Sequence, residues 1–312
     1  HLSIRRQRQM CIRDSYYTCA SARRDDGSME SFWSTRRRIM KSSLWSRLAR
    51  HAILILGSAT VIIPFLWMFT TSLQMRAETY TNTSIFPTSW HWENYIHAWQ
   101  AAPFAQYYWN TLLMTVGIVV GHLIFDAFAA YAFARLEFPL KKTIFILLLS
   151  ALMIPNFVIV IPSYEIVANL GWVDTLYALV VPRLADVFGI ILLRQYFATI
   201  PRELDEAARI DGCGRFGIFF KLIVPLSYPA FATLGIFSFL FAWNDFLWPL
   251  LVTNTDETRT IQIGLASFVG RYGTSWNYLM AGTLTATIPS IIVFLFFQRA
   301  LVRGIANTGM KD

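Results

Sequence analysis

The sequence has few charged residues. Asp, Glu, Lys and Arg make up 15% of its 312 residues, against about 25% in a typical soluble chain. Cysteine is also scarce, and Cys11, Cys19 and Cys213 form no paired motif, so neither a disulfide framework nor a metal site is expected. Hydrophobic residues reach 55%, which excludes a disordered or nucleic-acid-binding chain despite a net charge of +8. The composition predicts a membrane protein.

Six segments are candidates to cross a bilayer, which requires about 20 helical residues. Four of them are free of charged side chains: 53–73 (span one) and the stretches enclosed by Lys142 and Glu165 (span three), by Lys221 and Asp245 (span five) and by Arg271 and Arg299 (span six). Span two, at 108–133, contains Asp126, and span four, at 176–197, is interrupted by Arg183 and Asp186. The sequence therefore predicts an all-α, polytopic membrane protein with six transmembrane helices.

The basic residues alternate between the connecting segments. They are frequent before the first span, between spans two and three, between spans four and five, and after span six. Representatives are Arg50, Arg135, Lys141, Lys142, Arg202, Arg215, Lys221 and Arg303. The other connections carry few, and basic residues favour the cytoplasmic side. Both termini are therefore predicted to be cytoplasmic.

Prolines recur in the predicted spans, at Pro64, Pro155, Pro162, Pro182, Pro249 and Pro289. Within a membrane, proline is tolerated where neighbouring helices or water satisfy the freed backbone groups. One interpretation is ordinary irregularity of membrane helices. The other is that broken helices line a pathway that opens and closes.

The connection between spans four and five has the pattern of a short helix outside the membrane, predicted at 202–211. Pro201 suits a first turn, and Glu203 and Asp205 are acids placed where the helix dipole favours them. Gly212 supplies a stop. Leu204, Ala207, Ala208 and Asp211 are predicted to share one side, with the alanines leaving a shallow surface for another protein. The alternative is a surface turn that only connects two spans.

A longer series of motifs runs through most of the chain. It consists of Ser72-Leu73, Glu93-Asn94-Tyr95, Asn110-Thr111, Ala129 to Arg135, Leu193-Arg194-Gln195, Glu206-Ala207-Ala208, Asp211-Gly212, Phe219, Ile223, Pro225, Pro229-Ala230, Trp243 to Leu247, Gln298-Arg299 and Gly304. This series resembles the permeases of binding-protein-dependent ABC transporters, in particular the carbohydrate-importer branch. The departures are small: Cys213 stands where alanine is frequent, and Asp245 where glutamate is frequent.

The resemblance implies a type I ABC importer permease fold and a coupling role for the predicted loop helix. Glu206 would contact a separate ATPase, Ala207 and Ala208 would allow close approach, and Asp211 with Gly212 would complete the turn. The chain has no GxxxxGK[ST] phosphate loop, so it is not expected to be an enzyme or to hold a nucleotide cofactor. No catalytic residue is expected either.

The resemblance also implies the partners and the location. The partners would be an ABC ATPase dimer, a second permease subunit, an extracytoplasmic solute-binding protein and membrane lipid, with no nucleic acid. The solute would be a sugar or a related compound, and the location a bacterial inner membrane.

The implied permease domain covers residues 107–301, preceded at 41–106 by the first transmembrane helix and an extracytoplasmic loop, and followed by a cytoplasmic tail at 302–312. Residues 1–40 are expected to be a disordered basic leader. The first 28 residues have no apolar core typical of a signal peptide. They are either native or translated upstream of a start at Met29 or Met40.

Four residues are candidates for the solute pathway. Trp243, Asn244 and Asp245 are predicted near the outer end of span five, where a ring beside polar groups suits a sugar. The alternative for Trp243 is anchoring at the membrane interface. Asp126 lies inside span two, where a carboxylate usually faces a cavity or the bundle interior.

Other polar residues in the spans are interpreted as structural. Asp126 would either line the pathway or be held by hydrogen bonds from Tyr131 or His122, and His122 itself is interpreted as a packed histidine. Arg183 and Asp186, three residues apart, are predicted to pair with each other within span four.

Two other classes of protein remain as alternatives. An ion-coupled secondary transporter would use Asp126, Arg183 and Asp186 to relay protons, but it gives no role to the loop helix. A membrane-embedded enzyme is the second, and the sequence contains neither HExxH nor GxSxG.

Overall fold

The computed structural model describes residues 44–81, 84–270 and 273–309 of the chain. The α-helices of this described part are Leu44–Ser72, Glu78–Thr81, Glu93–Gln100, Phe104–Gly121, Ala127–Arg135, Lys141–Ala151, Asn156–Asn169, Leu176–Val180, Val187–Thr199, Arg202–Ile210, Arg215–Ile218, Val224–Leu226, Tyr228–Trp243, Leu247–Val252, Ile261–Ala266 and Trp276–Gly309. Helical turns of other types are His122–Asp126, Val181–Arg183 and Phe219–Ile223. A small antiparallel hairpin, Val269–Gly270 with Gly273–Thr274, departs from the all-α prediction.

The chain divides into two compact units, His1–Phe65 and Leu66–Asp312. The predicted leader at residues 1–40 lies outside the described residues. In the first unit, the described side chains from Trp45 to Phe65 are exposed and largely apolar, as expected for a helix surrounded by lipid.

Three helices in the described part of the chain are long and apolar enough to cross a membrane alone: Leu48–Ser72, Phe104–Arg135 and Trp276–Gln298. The other three predicted spans coincide with bent pairs of helices, so the total is up to six if each pair is one span. The bends are 100° between Lys141–Ala151 and Asn156–Asn169, 41° between Leu176–Arg183 and Val187–Thr199, and 78° between Arg215–Leu226 and Tyr228–Trp243.

Proline accounts for the position of each break. Pro155 stands immediately before the helix Asn156–Asn169, Pro182 lies in the 3₁₀ turn at the second break, and Pro225 and Pro229 flank the third. Proline has no N–H to donate and clashes with the preceding turn, so it ends or kinks a helix. Three other prolines, Pro64, Pro162 and Pro289, stay inside continuous helices.

The largest core cluster joins spans two, four and five near one end of the bundle. Ala127, Ala130 and Tyr131 of span two pack with residues of the other two spans and of the intervening loop. The remaining buried members are Leu193, Phe197, Ile200, Ile218, Phe219, Ile223, Ala230 and Leu234. The loop helix Arg202–Ile210 packs against this cluster through Ala208.

At the other end, the connection after span five is fixed by side chains from two neighbouring elements. Asn110 donates hydrogen bonds to the carbonyl oxygens of Glu257 at 2.8 Å and Arg259 at 2.9 Å. Asp174 accepts hydrogen bonds from the Asn254 and Thr255 N–H groups at 2.9 and 3.1 Å and from the Thr258 hydroxyl.

These hydrogen bonds change the pKa of Asp174, which lies in a turn outside the helices. Burial alone would raise the pKa of this carboxyl, but hydrogen bonds from Thr258, Asn254 and Thr255 outweigh burial and bring the pKa from its usual 3.8 to about 2. The loop therefore keeps its charged anchor throughout the physiological pH range.

Candidate functional site

The predicted helix between spans four and five is confirmed at Arg202–Ile210, one residue shorter than expected. Pro201 stands immediately before the first helical residue rather than within the first turn. At the other end, Gly212 has φ +82°, its N–H donates to the Arg209 carbonyl, and the Cys213 N–H donates to the Ala208 carbonyl. These are the two bonds of a Schellman motif, which requires a residue such as glycine at this position.

A buried ion pair holds this loop helix against span two. Asp205 is 7% exposed and Arg135 8% exposed, and their Oδ2 and Nη1 atoms are 3.5 Å apart. Arg135 also donates through Nη2 to the Ile200 carbonyl at 2.8 Å, immediately before the helix. The prediction for Asp205 as an acid favoured by the helix dipole missed this ion pair, although Arg135 at the end of span two is a signal for an acidic partner.

Some residues of the loop helix face the core, and others face solvent. Ala208 is half-buried and packs against the core cluster, whereas Ala207 is exposed, so the two alanines do not share one outward surface as predicted. Glu206, Leu204 and Asp211 are exposed, and Ile210 is 86% exposed. The outward surface of this helix therefore combines acidic and apolar side chains on a fixed support.

A cavity of about 640 Å³ lies where the three broken spans meet. Its wall includes Leu152 and Asn156 at the first break, Arg183 and Asp186 at the second, and Phe241 of span five. Broken helices within a membrane are tolerated where they are buried in protein or line a cavity. Trp243, Asn244, Asp245 and Asp126 do not belong to the wall of this cavity.

Side chains of span two provide hydrogen-bond partners for backbone groups at the break in span four. Asp126 is fully buried and its Oδ1 accepts the Asp186 N–H at 2.9 Å, while His122 Nε2 lies 3.0 Å from the Arg183 carbonyl oxygen. The prediction that Tyr131 or His122 holds Asp126 is wrong, because Tyr131 donates to the Arg215 carbonyl instead. The interpretation of His122 as a packed histidine is confirmed by its 5% exposure.

The Asp126 carboxylate lies close to span four. A Cβ atom added to Gly189 would lie 2.1 Å from Asp126 Oδ2, which is closer than any side chain tolerates. Glycine at this position thus allows the carboxylate to reach the freed N–H group. Asp126 is accounted for as a structural partner of span four.

The predicted pair of Arg183 with Asp186 is also wrong. Arg183 pairs instead with Asp245, with Nη1 and Oδ2 2.9 Å apart and side-chain exposures of 23% and 10%. The guanidinium also lies over the rings of Phe241 and Trp248, at 5.2 and 5.8 Å from their centroids. The ion pair joins the break in span four to the end of span five, which sequence spacing alone does not reveal.

Trp243 and Asn244 occupy different environments although they are adjacent. Trp243 is 2% exposed and donates through Nε1 to the Ala286 carbonyl at 2.9 Å, so it packs inside the bundle and is not an interfacial anchor. Asn244 is exposed and donates to the Leu240 carbonyl at 2.8 Å. Of the two, Asn244 is the accessible polar group.

The described residues contain no group of three or more His, Cys, Asp or Glu side chains that could hold a metal ion. Apolar helices of the observed length define a multi-pass membrane protein. Residues 117–307 match the family of binding-protein-dependent transport system inner membrane components. The chain belongs to this family.

Relatives with similar sequences extend the match beyond that domain. A probable ABC transporter permease, YurM of Bacillus subtilis, is 35% identical over 88% of this chain and 89% of its own length. The arabinooligosaccharides transport system permease AraQ of Halalkalibacterium halodurans is 34% identical over 80% and 91%. The sn-glycerol-3-phosphate transport system permease UgpE of Yersinia enterocolitica is 34% identical over 83% and 95%.

Solved structures show the same fold. A bacterial ABC transporter involved in the import of the acidic polysaccharide alginate matches with a TM-score of 0.73 and 23% identity, covering 83% of this chain and 98% of that chain. The alginate transporter in complex with an alginate pentasaccharide-bound periplasmic protein matches with a TM-score of 0.58 and 16% identity, covering 81% and 95%.

The Arg183–Asp245 pair should contribute more to stability than a pair whose carboxylate is exposed, because Asp245 is only 10% exposed. Replacing Asp245 with Asn leaves the partly buried Arg183 without a counter-charge, which should lower the free energy of unfolding by about 1–3 kcal/mol. Thermal unfolding of the detergent-solubilised protein measures the loss, and Arg183→Gln added to Asp245→Asn should restore part of it. Glu137→Gln, which removes the exposed pair with Lys141, is the control and should cost under about 1 kcal/mol. Equal losses of stability in Asp245→Asn and Glu137→Gln would contradict the assignment of Asp245 as the partner of Arg183.

Proposed function

We propose that this chain is the membrane-spanning permease subunit of an ATP-driven importer for sugars or related carbohydrate solutes, in which a separate ATPase acts through the loop helix. The observation that carries the proposal is a short helix, fixed to span two by the Arg135–Asp205 pair, whose exposed side bears Glu206 and Ile210. An exposed helix fixed in this way is suited to transmit a displacement from a partner to the spans. The chain itself performs no catalysis in this proposal.

The names of the relatives support the class of solute. They include permeases for arabinooligosaccharides and sn-glycerol-3-phosphate, and the alginate importer has the same fold. The proposed partners are an ABC ATPase dimer, a second permease subunit and an extracytoplasmic solute-binding protein. The structure of the alginate transporter with its periplasmic protein supports the last of these. The proposed location is a bacterial inner membrane, and ion-coupled secondary transport is not favoured by the family.

We also propose that the chain has six membrane spans, with both termini in the cytoplasm. The three continuous helices and three bent pairs supply six crossings, and the basic connections then all fall on one side. In this arrangement the loop helix is cytoplasmic, and the connection fixed by Asp174 and Asn110 is extracytoplasmic.

The coupling residues are proposed from their positions on the loop helix. Glu206 is exposed and presents a carboxylate to the ATPase, while Ala207 allows close approach. Ala208 contributes from the inner side by seating the helix on the core cluster. Asp211 and Gly212 close the helix and set its direction.

Glu206→Lys should abolish solute-stimulated ATP hydrolysis of the reconstituted transporter, because it reverses the charge presented to the ATPase. Membrane insertion and thermal stability should be unchanged, since this side chain is exposed. Arg209→Gln on the same helix is the control and should retain most of the stimulation. Unchanged stimulation in Glu206→Lys would remove Glu206 from the coupling contact.

The topology can be tested by cysteine labelling in a background in which the three native cysteines are replaced. Ile210→Cys is on the loop helix, and Thr255→Cys is exposed in the connection after span five. A membrane-impermeant maleimide added to spheroplasts should label Thr255→Cys directly and Ile210→Cys only after permeabilisation. The opposite pattern would invert the proposed orientation.

The solute pathway is proposed to pass Asn244 and the polar groups near it. Asn244 is exposed at the end of span five, and the neighbouring Asp245 is joined to Arg183 on the cavity wall. Asp126 contributes by accepting the N–H of Asp186, which lines the cavity, and the buried Trp243 contributes by fixing the end of span five against Ala286.

Asn244→Ala should lower the initial rate of solute uptake about five-fold, the effect of one lost hydrogen bond of about 1 kcal/mol. Labelled arabinooligosaccharides and sn-glycerol-3-phosphate are the probes. Asn254→Ala, an exposed asparagine in the outer connection, is the control and should leave the rate unchanged. Equal rates for wild type and Asn244→Ala with a transported probe would remove Asn244 from the pathway.

A further inference from the structure

A second cavity lies at the end of the bundle that carries the loop helix. It has a volume of about 790 Å³. Its charged lining consists of Lys141, Lys142, Arg194, Arg202 and the single acid Glu137. Aromatic and aliphatic side chains, among them Phe133, Phe138, Phe145 and Ile146, form the rest of the wall. Four basic groups against one acid give the cavity a strong preference for an anion.

Most of this positive charge is not neutralised by the protein. Lys141 lies 3.3 Å from Glu137 Oε1 and also donates to the Leu136 carbonyl. Within the described part of the chain, Lys142, Arg194 and Arg202 form no ion pair. Lys142, Arg194 and Arg202 therefore differ from Arg135 and Arg183, each of which has an acidic partner.

Arg194 is held in a particular orientation. Its guanidinium carbon lies 4.1 Å from the centroid of the Phe145 ring. Its Nε atom is buried and has no hydrogen-bond partner among the described residues. A buried donor without a partner is costly, and guanidinium donors match the oxygens of a phosphate group well. The ring covers one face of the guanidinium, and the side chain forms part of the cavity wall.

The cavity lies at the boundary between the apolar spans and the solvent. Lys141 begins the helix Lys141–Ala151, Arg194 is in the second half of Val187–Thr199, and Arg202 begins the loop helix. Beyond the basic residues, the helix Lys141–Ala151 presents Ile146 and Leu147, each 64% exposed. A ligand that fits must join an anionic group to long apolar chains.

We propose that this cavity binds the phosphate headgroup of an acidic phospholipid, whose acyl chains lie along the exposed side of the helix Lys141–Ala151. Basic pockets at the ends of transmembrane helices bind such headgroups. Arg194 and Lys142 contact the phosphate, and Lys141 and Arg202 contribute charge. The assignment of the lipid to the cytoplasmic leaflet rests on the proposed topology, whereas the binding itself does not.

The experiment is a titration of the full-length chain in detergent, followed by native mass spectrometry. The ligands are palmitoyl-oleoyl phosphatidylglycerol and palmitoyl-oleoyl phosphatidylcholine, which have the same chains and different headgroup charge. Inorganic phosphate is the third ligand. The wild type should bind phosphatidylglycerol at least about ten-fold more tightly than phosphatidylcholine, and inorganic phosphate much more weakly than either.

Lys142→Gln and Arg194→Gln should each weaken phosphatidylglycerol binding about five-fold and leave phosphatidylcholine binding unchanged. Lys221→Gln is the matched control, since Lys221 is an exposed basic residue of span five outside the cavity. Circular dichroism checks folding. If Arg194→Gln does not fold, the exposed Lys142 decides the result.

Three results would overturn the proposal. These are equal binding of the two lipids, an equal loss in Lys221→Gln, and phosphate binding as tight as phosphatidylglycerol binding, which would assign the cavity to a free anion. Because no ATPase or solute is present in this measurement, it can fail while ATP-driven import stands, and the reverse is also true.

Discussion

Every break in a membrane helix frees backbone groups that the bilayer cannot satisfy, and this constraint explains the polar residues of the bundle. At the break in span four, Asp126 accepts the freed Asp186 N–H and His122 contacts the Arg183 carbonyl oxygen. Both side chains come from span two, which is itself continuous from Phe104 to Arg135. The unbroken span thus provides the hydrogen bonds that the broken one lacks.

The same continuous span connects the break to the loop helix. Asp126 lies in its second half, and Arg135 at its end holds Asp205 and the Ile200 carbonyl. Between them, Ala127, Ala130 and Tyr131 belong to the large core cluster. Closely packed interiors transmit displacement rather than absorb it. A force on the loop helix has, in this arrangement, a direct route to the cavity where the three broken spans meet.

The sequence was informative where the physics is local. Hydropathy indicated all six apolar segments, and the pattern from Pro201 to Gly212 predicted the loop helix to within one residue. It failed where partners are distant along the chain. Arg183 was assigned to Asp186 because they are three residues apart, whereas the bend near Pro182 directs Arg183 to Asp245. Ala207 is exposed and Ala208 half-buried because of the side of the helix that faces the core. The Arg135–Asp205 pair determines that side.

Asp126 shows why an ionisable residue within a membrane does not by itself mark a transport pathway. A carboxylate there is retained when it performs a task that no apolar residue can perform. Gly189 permits close contact with this carboxylate, and the Asp186 N–H uses one of its oxygens. Arg194 differs from it in its surroundings, because it lies on the wall of a cavity with three other basic residues. Asp126 Oδ2 and Arg194 Nε both lack a hydrogen-bond partner among the described residues, so a missing partner does not by itself identify a ligand site. At Arg194 the assignment rests on the concentration of positive charge around an open cavity, which Asp126 does not have.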